Sequence, residues 1–180
     1  MVKLANFIRN LIRTNLEKAK GQTRLTWEDH SLILNLDSHR ENTRSILYST
    51  LKWSEAKKIF TLILGTKGTQ AEIICSLMHE LGHYLADKYL TPVSALESHR
   101  DLIIMRGGEG ASSFIIEKEV EAWEDGYEYF IAHGIPVPFG YVRRMTHALA
   151  SYLIKAEDTE LWTNKIGRSV AIISLKEERQ

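Results

Sequence analysis

The segment His79-Glu80-Leu81-Gly82-His83 holds the residues best equipped for chemistry. In an α-helix, residues four apart lie about one turn apart on one face, so both imidazoles can reach the same ion. Zn2+ takes imidazole nitrogen readily and brings no redox chemistry of its own. Glu80 stands about 100° round the helix from His79, beside the metal rather than on it. There it can take a proton from water activated at the metal. The spacing predicts a Zn2+ site held by His79 and His83, with Glu80 as the catalytic base.

The residues around the motif suit a helix anchored on one side. Ile73, Ile74, Leu77, Leu81, Tyr84 and Leu85 share the face opposite the histidines. Cys75, Ser76, Gly82, Ala86 and Asp87 give the histidine side a small or polar surface. Such a helix buries one stripe and leaves the other to line a cleft.

A catalytic zinc usually has three protein ligands and one open position. The longer H-E-x-x-H-x-x-G-x-x-H pattern fails, because position 86 is Ala and position 89 is Tyr. A glutamate from a later helix is the other common solution. Residues 117–128 offer several carboxylates, and helical phase separates them. Ile116, Val120, Trp123, Tyr127, Phe130 and Ile131 share one apolar stripe. Glu119 borders that stripe next to Ala122 and Gly126, whose small size allows another helix to come close. Gly82 and Cys75 offer a matching small surface on the first helix. Glu121 and Asp125 fall on the far side. Phase therefore favours Glu119. A second register stays open, in which Glu121 is the ligand and Asp125 supports a histidine, as in thermolysin-like enzymes.

The combination of His79-Glu80-x-x-His83 with Glu119-x-x-Ala122-Trp123 resembles the gluzincin-type metallopeptidases of the ImmA/IrrE-like kind. The resemblance covers residues 59–130 and lies in the motifs. It implies Glu119 as the third zinc ligand and hydrolysis of peptide bonds in a peptide or protein substrate, such as a regulatory repressor. Trp123 stands where that family usually has Asn or Asp. The helix-turn-helix domain that many of its members carry is not expected within these 180 residues.

These residues must be held by the elements around them. Leu4, Phe7, Ile8, Leu11, Ile12 and Leu16 predict an amphipathic helix over residues 3–18, ended by Gly21. Leu32, Leu34 and Leu36 alternate with polar residues and predict a strand. Ile46-Leu47-Tyr48 predicts a second and residues 59–64 a third. Thr69-Gln70-Ala71-Glu72 has the form of a capping box, which opens a helix over 70–89. Residues 92–112, with Gly107, Gly108 and Gly110, read as a connector. A helix from Ser112 or Ser113 to Ala132 stops at Gly134 and Pro136. Two more are expected over 141–155 and 160–175. The expectation is one domain over residues 1–180, of α+β zincin-like class, with a small N-terminal β-sheet packed on the active-site helix.

Composition narrows the partners. Of 180 residues, 44% are hydrophobic, enough for a core. Lys plus Arg and Asp plus Glu are both 23, so no net charge favours a nucleic acid. The single cysteine, Cys75, excludes an intramolecular disulfide and a four-cysteine zinc site. No apolar run approaches a membrane span, and a cytoplasmic location is expected. Tyr141 and His147 are candidates for donors to the developing oxyanion. Trp27, Trp53 and Trp162 read as core aromatics, and Lys57-Lys58 and Arg143-Arg144 as solvated pairs. Two rivals keep the motif but change the task. One is a non-catalytic binding module of zincin fold. The other is a metal hydrolase acting on another amide-type bond.

Overall fold

The computed structural model describes residues 2–14, 21–26, 31–37, 50–54, 59–65, 68–87, 113–153 and 159–177. We label its helices α1 (Val2–Ile12), α2 (Gln70–Asp87), α3 (Ser113–Ala132), α4 (Tyr141–Leu153) and α5 (Thr159–Glu177). The strands are β1 (Gly21–Thr26), β2 (Ser31–Asp37), β3 (Thr50–Ser54) and β4 (Ile59–Gly65).

The strands pair in the order β1-β2-β4-β3. β1 runs antiparallel to β2, and β3 antiparallel to β4, whereas β2 and β4 are parallel. Strands β2 and β4 lie where the apolar runs placed them. Gly21 opens β1 instead of ending the first helix, and α1 is shorter than the expected 3–18. The expected strand at 46–48 and the connector at 92–112 lie outside the described residues.

The expected α+β, zincin-like class is corrected. Among the residues whose side chains are described, 83% are helical. From the strands, only Leu62 and Leu64 of β4 enter the described core. A sheet layer backing α2 is therefore not what organises these side chains. The core is made by helices packing on helices: Leu4 and Ile8 of α1, Ile73, Leu77, Leu81 and Tyr84 of α2, and Tyr127 and Phe130 of α3 are all at most 2% exposed. A buried side chain of this size contributes roughly 1.5–3 kcal/mol relative to exposure.

Helix ends follow the local chemistry. The Thr69 amide donates to Glu72 Oε2 at 2.9 Å, and the Glu72 amide donates to Thr69 Oγ1 at 3.3 Å. That reciprocal pair is the expected capping box. Helix α3 stops just before Gly134, whose φ of 58° is in the left-handed region, and the Ile135 amide donates back to the Phe130 carbonyl at 2.8 Å. The Arg9 guanidinium donates to the His133 carbonyl and ties α1 to this end of α3. Among the described residues, no helix is long and apolar enough to cross a membrane.

Candidate metal centre

Helices α2 and α3 meet through glycine in both directions. A Cβ on Gly82 would sit 1.8 Å from the Ala122 carbonyl oxygen, and one on Gly126 would sit 2.1 Å from that of Met78. Each helix thus presses a bare α-carbon against the other's backbone. Only glycine allows so close an approach. Gly82 and Gly126 were both marked by phase, whereas the partner of Gly126 is Met78 and not Cys75. Cys75 is buried, in keeping with a core thiol.

Close approach brings Glu119 to the histidines. Glu119 Oε2 lies 3.1 Å from His79 Nε2, and Oε1 lies 3.6 Å from His83 Nε2. The two imidazoles stand edge to face, with centroids 4.6 Å apart and planes at 72°. One ligand atom from each of the three residues falls within 4.8 Å of the others. The trio can therefore hold a metal ion. Its donor chemistry fits: two imidazole nitrogens and a carboxylate suit a divalent ion such as zinc. The two carboxylate–imidazole spacings are close as well, because ligands at about 2.0–2.1 Å from a tetrahedral ion stand about 3.3 Å apart.

The electrostatics point the same way. Glu119 is only 4% exposed, and an isolated buried carboxylate is costly. Burial pushes its pKa up. The His83 charge and the hydrogen bonds from His79 and His83 outweigh that effect, and the carboxyl is held well below its ordinary range. Both histidine side chains keep some exposure, 14% and 19%, so the cluster is reachable from outside.

Glu121 faces away. Its carboxylate pairs with Lys118 Nζ at 2.7 Å and is 40% exposed. Asp125 is exposed as a residue, and the partial desolvation of its carboxyl, followed by repulsion from Glu121 and Glu124, pushes its pKa up. The thermolysin-like register is thus not the one the helices adopt. Glu80 is buried at 6% on the next position of α2.

Of the two candidate oxyanion donors, Tyr141 is engaged elsewhere. Tyr141 is fully buried, and its hydroxyl donates to the Trp123 carbonyl at 2.6 Å. His147 is exposed on α4. Of the other histidines, His133 stacks on Tyr129, and His30, His39 and His99 lie outside the described residues, as do Trp27, Lys57 and Lys58. Arg144 approaches Glu72 at 3.8 Å.

The sequence reading missed what covers His79. The Trp123 indole stacks on that imidazole at 4.5 Å with planes 25° apart. Trp123 follows Glu119 by four residues, so it rises one turn above the ligand on nearly the same face. That spacing was the available signal. Comparison with protein-family models, curated proteins and solved structures returned no match to this chain.

Proposed function

We propose that this chain is a zinc-dependent metallopeptidase, with His79, His83 and Glu119 as zinc ligands and Glu80 as the general base. The observation that carries the reading is the convergence of two Nε2 atoms and a buried carboxylate from two separate helices. The motif resemblance to ImmA/IrrE-like gluzincins supports the choice of peptide bonds as substrate. A buried lone thiol is in keeping with a reducing, cytoplasmic setting.

Zinc, when bound, supplies Lewis acidity that polarises a carbonyl and makes a nearby water easier to deprotonate. The chain's own residues do the remaining work. His79 and His83 present Nε2 from consecutive turns of α2, and Glu119 adds a negative charge from α3. Glu80, on the same rigid helix, takes the proton of the attacking water on its carboxylate and passes it to the nitrogen of the departing amine. One carboxylate so acts first as base and then as acid, and ends the cycle ionised again.

The test is Glu80→Gln, which keeps shape but cannot accept the proton. Wild type and variant are loaded with zinc and incubated with a proteome-derived peptide library, and new termini are read by mass spectrometry. The expected result is equal zinc content, with cleavage by the variant lower by about 10²-fold or more. Equal cleavage by both proteins would remove Glu80 from the chemistry. A zinc-loaded wild type that cuts nothing would favour the binding-module reading.

A further inference from the structure

We propose that Trp123 is the positioning residue of the metal centre: its indole, stacked on His79, fixes the orientation of that imidazole in place of a hydrogen bond. The inference rests on the metal-site reading above and adds to it a residue the motif does not contain.

His79 directs Nε2 at Glu119, so Nδ1 is the nitrogen left to orient the ring. A metal-binding histidine almost always donates its second N–H to a carboxylate, a carbonyl or water, and that bond sets the ring rotation. Here Nδ1 is buried, and among the described residues no group pairs with it. The last torsion of a histidine side chain is intrinsically broad. With no described group at Nδ1, the torsion calls for another restraint.

The indole supplies that restraint. With centroids 4.5 Å apart and planes within 25°, the two rings are close to parallel. Turning the imidazole about its final torsion would drive its edge into the indole face. The Trp123 Nε1–H is also buried without a partner among the described residues, so contact between ring faces carries the interaction. Stacked aromatic pairs contribute about 0.5–1.5 kcal/mol beyond the area they bury.

Trp123 is itself held. It is 3% exposed, and the fully buried Tyr141 ring meets it at 5.3 Å and 63°. The Tyr141 hydroxyl ties down the Trp123 backbone through its carbonyl. One turn further along α3, Gly126 locks against the Met78 backbone, immediately before His79. The stack therefore stands on a rigid crossing, which a support for a metal ligand requires.

Because the ring face acts, an aromatic replacement should serve and an aliphatic one should not. Trp123→Phe and Trp123→Leu are compared with wild type, at a temperature where circular dichroism shows all three folded. Zinc affinity is measured by competition with a chelator. Trp123→Phe should bind zinc within about threefold of wild type, and Trp123→Leu about 10- to 100-fold more weakly, the range for loss of a ligand's support. A merely structural Trp123 would lower the melting temperature of both variants and leave zinc affinity alone. In wild type, nuclear Overhauser contacts between the His79 ring protons and the indole should persist through a zinc titration, a readout that needs no variant. Equal zinc affinity in wild type and Trp123→Leu, or loss of those contacts as zinc binds, would overturn the inference and leave the metal site standing. A wild type that binds no zinc would overturn the metal site itself, and the positioning role with it.

Discussion

Gly82→Ala adds one methyl group at the point where α2 touches α3. The new Cβ would lie 1.8 Å from the Ala122 carbonyl oxygen, 2.6 Å from its carbon and 2.8 Å from its α-carbon. All three are backbone atoms, so no side chain can swing aside. To reach 3.0 Å from the oxygen, below which such contacts essentially never occur, the helices must part by roughly 1.2 Å. Glu119 lies one turn from Ala122, and a zinc site tolerates distance errors of only about 0.2 Å. The change should therefore strike stability and metal binding together. Overpacking costs about 1–3 kcal/mol, which for a chain of this size lowers the melting temperature by roughly 2–12 °C. Zinc affinity should fall by about 100-fold or more, since a ligand is displaced and not merely its support. The sign of the stability change is diagnostic. Without the clash, alanine in a helix interior would stabilise by about 0.5–1 kcal/mol over glycine. The assays are thermal denaturation of the metal-free protein and chelator competition for zinc. A variant that melts higher than wild type and binds zinc equally well would refute the close crossing and the account of the site built on it.

Two further outcomes follow from the same geometry. Glu119→Ala should loosen zinc by more than about 100-fold, while Glu121→Ala, which loses only a partly exposed pair with Lys118, should leave affinity within about threefold and stability within about 1 kcal/mol; chelator competition separates them. Glu72→Ala should cost about 0.5–1 kcal/mol, the lower part of the capping range, because the side chain is 37% exposed. The Thr69 amide is the largest cause holding the Glu72 pKa below 4.5, though partial burial opposes it. The unfolded chain therefore binds that proton more readily, and the benefit is present above the ordinary carboxyl pKa and fades as pH falls through the lowered one. Urea denaturation of wild type and variant across that acid range should show the two curves converging at the low end.

Local chemistry was the legible part of this sequence. Two histidines a turn apart, a Thr-x-x-Glu cap and a Gly-Ile-Pro stop each act within one element, and each stands where its spacing put it. The choice of Glu119 needed one step more. It came from phase on α3 and from the small residues Gly82, Ala122 and Gly126, because helices can cross closely only where side chains are absent. Strands β1 and β3 were not legible. Gly-Gln-Thr-Arg-Leu-Thr has one apolar residue, and Thr-Leu-Lys-Trp-Ser alternates Leu51 and Trp53 with polar residues over only five positions, too short a run to stand out. Gly21 suits a helix stop as well as a strand start, because glycine marks many kinds of boundary. The fold class was overdrawn for a related reason. Apolar strands such as Ile59–Gly65 announce a sheet, but the sequence does not say which layer packs behind α2, and the described core is helical. The stack of Trp123 on His79 was invisible because it exists only once α3 lies across α2.

The central claim is that the His79, His83 and Glu119 side chains form a zinc site. Crystals of the zinc-loaded protein, measured above and below the zinc absorption edge, test it most directly. The account predicts one anomalous peak per chain, about 2.0–2.2 Å from Nε2 of both histidines and from a Glu119 carboxylate oxygen. A peak held by other residues, or none at saturating zinc while Glu119 still pairs with the two imidazoles, would contradict it.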